Sequence, residues 1–336
     1  MKFLIVGSNS FSGSHFVKEL IDNDNEVIGV SRSKEPNKIF LPYYWNNTNK
    51  QYIRVNENKF KFFQIDINKN LNHLIELIDE FKPEYVVNFA SQGMVAESWL
   101  NPTHWYKTNL VSQVAFHDEL RNKKFLKKYV HISTPEVYGD TKDWIKENYN
   151  FNPTTPYSVS RAACEMHLQS FYKAYDFPVV FTRAANVYGQ GQQLYRIIPK
   201  AILCIRSGEK LKLHGGGYSK RSFIHISDVV KATIKLTINA KPGTSWHIST
   251  NQAISIRDLV SLICKITNTT LESIIENVDE RLGKDKNYLL KSDNLRNEFN
   301  WKDDIELEDG IKQTISWIDH NFEELSLMPW EYQHKI

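Results

Sequence analysis

Met1-Lys2-Phe3-Leu4-Ile5-Val6-Gly7-Ser8-Asn9-Ser10-Phe11-Ser12-Gly13 opens the chain, and Phe16, Val17, Leu20 and Ile21 follow at helical spacing. An apolar, β-rich run, a glycine-containing turn and an amphipathic stretch predict a strand, a turn and a helix in succession. That is the layout of a dinucleotide site. Gly7 and Gly13 would let backbone approach a pyrophosphate, while the helix start with Ser10 and Phe11 supplies N–H donors and a positive dipole end. Ser10 stands where a middle glycine is expected, so the turn taken alone reads equally as an ordinary β–α connection.

Working outward, apolar strands at residues 26–30, 60–65, 85–89, 129–132 and 179–182 alternate with helical stretches, including 105–120 and 158–175. This alternation predicts an α/β fold with a Rossmann-type, doubly wound parallel sheet covered on both faces. A chain of 336 residues exceeds the usual single core. Residues 1–185 are expected to form the dinucleotide-binding domain, its sheet completed by parts of 220–250. Residues 186–330 then form a smaller, interleaved substrate lobe. Residues 37–58 are polar, aromatic and Asn-rich, and read as a surface excursion.

Chemistry enters at Tyr157-Ser158-Val159-Ser160-Arg161, with Ser133-Thr134-Pro135-Glu136-Val137-Tyr138-Gly139 upstream. Residues at i and i+4 share one helix face, so Arg161 can favour the tyrosinate of Tyr157. Thr134 can hydrogen-bond the same substrate oxygen. Together these groups can move a proton off an alcohol while its carbon gives up hydride.

Composition narrows the class. The net charge of +3 is spread without a basic arm, which argues against a nucleic-acid partner. No apolar run is long enough for a membrane span, and the first residues lack a signal-peptide pattern, so a cytoplasmic protein is expected. Cys164, Cys204 and Cys264 lie far apart, so neither a metal site nor a disulfide framework is expected.

With these motifs in this order, the chain resembles the extended short-chain dehydrogenase/reductase family, in its nucleotide-sugar branch, over roughly residues 1 to 320. The resemblance makes Tyr157 the catalytic base or acid and Arg161 the counterpart of the family's usual Lys. It places Asp66 and Ile67 at the adenine, Ala90 beside the nicotinamide and Asn109 in the central helix. Three further blocks look like the nucleotide-diphosphate clamp of 4,6-dehydratases of the dTDP-glucose type. They are Asn186-Val187-Tyr188-Gly189 with Arg196, the run from Gly215 through Arg221 to Asp228, and Asp279-Glu280-Arg281-Leu282-Gly283-Lys284-Asp285 with Tyr288. Arg221 and Arg281 would match phosphate oxygens with their guanidinium forks.

The resemblance implies internal redox on a nucleotide-diphosphate sugar. Thr134 polarises the C4 oxygen, Tyr157 takes the C4 proton, Glu136 removes the C5 proton, and water leaves from C6. The product is a 4-keto-6-deoxy sugar. The chain departs from the pattern at Pro135, where the dTDP-glucose type carries an acid, and at Arg161. It also departs at Gln92-Gly93-Met94-Val95-Ala96-Glu97-Ser98, where Met94 faces the sugar and a different hexose is implied. A 4-epimerase, 4-dehydrogenase or decarboxylase therefore stays open, as does a non-catalytic dinucleotide sensor. For the cofactor, NAD(P), strand two ends Val30-Ser31-Arg32-Ser33 without an acid, and Arg32 favours NADP. The family dimerises through the helices at 105–120 and 158–175. Here these carry Trp105, Val111, Val114, Phe116, Leu120, Met166, Leu168 and Phe171, which predicts a homodimer.

Overall fold

A computed structural model describes residues 1–46, 52–280 and 285–335. Strand β1 (Lys2–Val6) leads through its turn into α1 (Phe11–Asp22) and β2 (Glu26–Ser31). Then come β3 (Phe60–Gln64), α2 (Leu71–Phe81) and β4 (Tyr85–Asn88). Phe3, Leu4, Ile5 and Val6 are all buried, so β1 is covered on both faces, as a strand central to a parallel sheet must be.

The next helical segment is split. α3 (Pro102–Tyr106) passes through a π-helical turn, Lys107–Val111, into α4 (Ser112–Leu120). The expected single helix over 105–120 is interrupted where Asn109 turns inward, the kind of wide turn often found at functional positions. After β5 (Lys128–Ser133) runs α5 (Pro156–Tyr175), which begins on a Thr155–Ser158 capping box, followed by β6 (Val179–Ala184).

The second lobe is interleaved with the sheet. β7 (Asn186–Tyr188) pairs with β10 (Phe223–His225), and β8 (Leu211–His214) with β13 (Ile275–Val278). β9 (Lys220–Arg221) lies between β12 (Ile254–Ser255) and β14 (Asn287–Tyr288). Helices α6 (Ile197–Ser207), α8 (Ile256–Ile266) and α11 (Leu307–His320) supply its apolar core. Short helices α9 (Leu271–Ile274) and α12 (Phe322–Ser326) complete it, while α10 (Asp293–Phe299) packs with α7 and the β11 edge of the large sheet. Helix α7 (Ile226–Asn239) returns to pack on α1 and the large sheet, and β11 (Ser245–Ile248) joins that sheet beside β6.

The large sheet has seven parallel strands in the order β11-β6-β5-β4-β1-β2-β3. Chain direction across the sheet reverses between β1 and β4, and such a reversal opens a crevice beyond the strand ends. Gly7 and Ala90 lie there.

One expectation fails. Residues 38–44 form two 3-10 turns whose Ile39, Leu41 and Tyr43 are buried, so this stretch belongs to the core. Its polar look misleads because the Tyr43 and Tyr44 hydroxyls both bond Glu35 at the surface. The rest of the expected excursion includes residues 47–51, which lie outside the described residues.

Candidate active site

At the β1–α1 turn, Gly7 has a left-handed φ of 84°, and an added Cβ would meet the Ala90 nitrogen at 2.7 Å. A Cβ at Gly13 would lie 2.3 Å from the Gly7 carbonyl oxygen. Both glycines are therefore required by close backbone approach. Ser10, which interrupts the expected motif, caps α1: its hydroxyl donates to Gly7 O at 2.7 Å and accepts from Gly13 N at 3.1 Å. The helix end is thus organised by a side chain, with Phe11 buried behind it. The buried Ser8 hydroxyl has no partner. A backbone cradle at a helix N-terminus fits a dinucleotide pyrophosphate.

Along the rest of the crevice, Asp66 and Ile67 follow β3, with the Asp66 carboxylate accepting from Asn68 N at 2.9 Å. Ala90 N bonds the Asn88 side chain. Asn109 is fully buried. Its carbonyl accepts from Gln92 N at 2.7 Å, and its amide donates to Gln92 O at 3.1 Å and Ser160 Oγ at 3.0 Å. It ties the loop after β4 to α5, which the sequence alone could not show. Arg32 follows β2, its carbonyl accepting from Gln64 Nε2.

The catalytic candidates converge where β5 ends and α5 begins. The Tyr157 phenol is buried, and Thr134 is close enough to act on it. Burial pushes its pKa up and the Glu136 charge adds to this, while Arg161, Thr134 and Arg196 oppose it. Glu136 is also pushed up, chiefly by burial, against the lowering charges of Arg221 and Arg196. Pro135 sits in the 3-10 turn Pro135–Tyr138, for which Thr134 is the N-cap.

Arg161 does not hang free as a flexible ammonium would. It is 3% exposed and faces β5, its Nη2 donating to His131 Nε2 at 3.2 Å and to the Ile132 carbonyl. His117, His131 and Cys164 cluster nearby with potential ligand atoms within 4.8 Å of one another. A guanidinium only donates, so neutral His131 must carry its proton on Nδ1 and has no lone pair left for a metal.

The substrate candidates divide. Arg196 is exposed at the start of α6, Asn186 opens β7, and Met94 lies partly buried in the loop after β4. Arg221, expected as a free phosphate fork, is buried. Its Nη1 donates to the Lys220 and Lys286 carbonyls and its Nη2 to the Asp285 carbonyl, with its plane over Tyr288. It holds β14 in place and lends its charge to Glu136. Arg281 lies outside the described residues. Asp285 accepts from Thr154 at 3.0 Å and from Tyr288 at 2.7 Å, and its charge adds to the upward push on Glu136.

Two features were missed from sequence. Buried Arg183 pairs with buried Glu165 at 2.5 Å and stacks among Tyr138, Tyr149 and Phe151. The segment 332–335 crosses back to the dinucleotide domain: His334 stacks on Trp105, and Gln92 Nε2 donates to Lys335 O at 3.0 Å. Neither carries a sequence motif, because the partners lie far apart along the chain.

The chain matches the family model for GDP-mannose 4,6 dehydratase over residues 4–314. It is 32% identical over 328 residues to the human dTDP-D-glucose 4,6-dehydratase, covering 96% of this chain and 91% of that protein. The crystal structure of dTDP-glucose 4,6-dehydratase from Bacillus anthracis in complex with NAD superposes with a TM-score of 0.84, at 25% identity and over 96% of this chain and 98% of that one. A Thermotoga maritima UDP-glucose 4-epimerase with UDP-glucose superposes with a TM-score of 0.83, also at 25% identity, over 96% of this chain and 100% of that one. Among the described residues, no helix is long and apolar enough to cross a membrane.

Proposed function

The chain belongs to the GDP-mannose 4,6-dehydratase family of extended short-chain dehydrogenases, and from that premise we infer that it is a nucleotide-diphosphate-sugar 4,6-dehydratase. The observation that carries this reading is the buried Tyr157 with Thr134, Glu136 and Arg161 acting on it, in a chain whose β1–α1 turn forms the Gly7–Gly13 cradle. A nicotinamide dinucleotide held at the Gly7–Gly13 turn would supply the hydride chemistry between C4 and C6.

This chain's own residues handle the protons. Thr134 holds the C4 oxygen and Tyr157 takes its proton, helped by the positive charge of Arg161. The resulting 4-ketone acidifies C5–H, which Glu136 removes. Pro135 cannot donate a proton to the departing C6 hydroxyl. Glu136 can, because burial favours its protonated form and it has just received the C5 proton. One carboxyl thus serves both steps and one water is lost; C5 then regains a proton as C6 is reduced, balancing the one Tyr157 took from the C4 hydroxyl. Arg196, Asn186 and Met94 line the sugar-nucleotide side. Arg281 belongs to this proposal from sequence alone.

For the cofactor we propose NADP over NAD. β2 ends on Ser31, whose hydroxyl accepts from Asn9 N at 3.0 Å, and the next acid, Glu35, is held by Tyr43 and Tyr44. Arg32 is then left as the charged group for a 2′-phosphate. The assembly we propose is a homodimer. A 4-epimerase is the second reading, favoured by Pro135. A panel of NDP-hexoses followed by mass spectrometry decides between them. Loss of one water without added cofactor supports the dehydratase, and unchanged mass with a new epimer replaces it.

A further inference from the structure

We propose that His131 is a positioning residue that holds the Arg161 guanidinium against Tyr157, a role that arises because an arginine stands where an ammonium would suffice. The inference rests on the dehydratase reading, in which Tyr157 is the base for the C4 proton.

An ammonium is a compact charge with three rotatable donors, whereas a guanidinium is a rigid plane of five N–H groups. Buried as it is here, its donors need acceptors at fixed positions, or the desolvation cost stays uncompensated. Two acceptors meet Nη2, His131 Nε2 at 3.2 Å and the Ile132 carbonyl, both on β5. Arg161 Nε has no partner, so the plane is oriented chiefly from its Nη2 edge. His131 can accept only while neutral. At 1% exposure it is kept neutral mainly by burial, then by Arg161 itself and by its other neighbours, His117 on α4, Arg183 on β6 and His167 on α5. Its Nδ1 has no partner, so β5 loses no other hydrogen bond if the ring is replaced.

The consequence reaches Tyr157 one turn earlier on α5. Its phenol is faced by Glu136, which raises its pKa, and by Arg161 and Arg196, which lower it. Removing the imidazole acceptor frees the guanidinium to turn from its present plane and weakens the lowering influence. A lysine at 161 has no plane to orient and should not need His131.

The test compares His131→Phe and His131→Gln in the native and Arg161→Lys backgrounds, with cofactor bound. Tyrosine carrying 13C at its Cζ reports Tyr157 ionisation by NMR, its resonance assigned through Tyr157→Phe. His131→Phe should raise the Tyr157 pKa by about 0.5–1 unit. His131→Gln, which keeps an acceptor, should restore most of that shift. In the Arg161→Lys background the His131→Phe shift should shrink to less than a third. His131→Val replaces the larger ring if the Phe variant fails to fold. An unmoved Tyr157 titration, or an equal shift in both backgrounds, overturns the inference and leaves His131 a packing residue. Single-turnover mixing with dTDP-glucose, UDP-glucose and GDP-mannose is the separate check on the parent reading. If none of them reduces the nicotinamide in the native enzyme, the dehydratase reading fails while the NMR comparison still decides the role of His131.

Discussion

Glu136 bears on the ionisation of Tyr157, and the sign of that influence can be tested. The Glu136 charge raises the Tyr157 pKa, second only to burial. Glu136→Gln removes that charge, so Tyr157 should ionise at lower pH. The rise of reduced-nicotinamide absorbance in single turnover should shift its acid limb down by about half a unit to one unit. Because nothing then removes the C5 proton, that absorbance should persist and no water should be lost. Normal turnover by Glu136→Gln would assign the C5 step elsewhere, and Tyr157→Phe should abolish the first absorbance change. Arg32 provides a second residue-level test. Arg32→Ala should weaken NADP binding by about 1–3 kcal/mol, the range for a charged hydrogen bond, and leave NAD nearly unchanged by calorimetry. Equal losses for both cofactors would reverse the preference.

Between residue and molecule, the element that matters most is the turn Pro135–Tyr138, which carries Glu136. Its Tyr138 hydroxyl accepts from Arg183 Nη1 at 2.5 Å and contacts His247 Nε2 at 2.8 Å, and Arg183 is paired to Glu165 on α5. Ser133, next to Thr134, also bonds Glu165. A buried pair of this kind adds little net stability when intact, but removing one partner leaves a charge without compensation. Glu165→Ala should therefore cost about 3–5 kcal/mol in denaturant unfolding. A loss near zero would mean that water reaches Arg183. This network also marks the limit of sequence reading. The strands were legible because a sheet buried on both faces needs continuous apolar runs, and Tyr157 and Arg161 were legible because four residues make one helical turn. Glu165 and Arg183 stand 18 residues apart, and Tyr138 and His247 stand 109 apart. No periodicity links such partners. Arg221 shows the same limit: its carbonyl acceptors at 285 and 286 lie across the lobe, so its burial as a strut had no sequence signal.

On the scale of the whole molecule, the π-helical turn before α4 and the outer face of α5 both carry exposed apolar side chains. Of the side chains expected to dimerise, Phe116, Leu120 and Leu168 are buried in the core beneath the sheet, and Trp105 is buried against His334. Val111 and Met166 remain 62% and 61% exposed, with Val159 also exposed nearby on α5. Val111 ends the π-helical turn that carries Asn109, and Asn109 fastens the loop at Gln92 to Ser160. A partner packed on Val111 would thus brace the crevice from behind. Val111→Glu combined with Met166→Glu places like charges across a two-fold interface and should give a monomer by light scattering at micromolar concentration. Because the brace is lost, cofactor dissociation from that monomer should be several-fold faster in stopped-flow chase. A native protein already monomeric at that concentration would sink the dimer. A variant that becomes monomeric yet releases cofactor at the native rate would keep the interface and remove its link to the crevice.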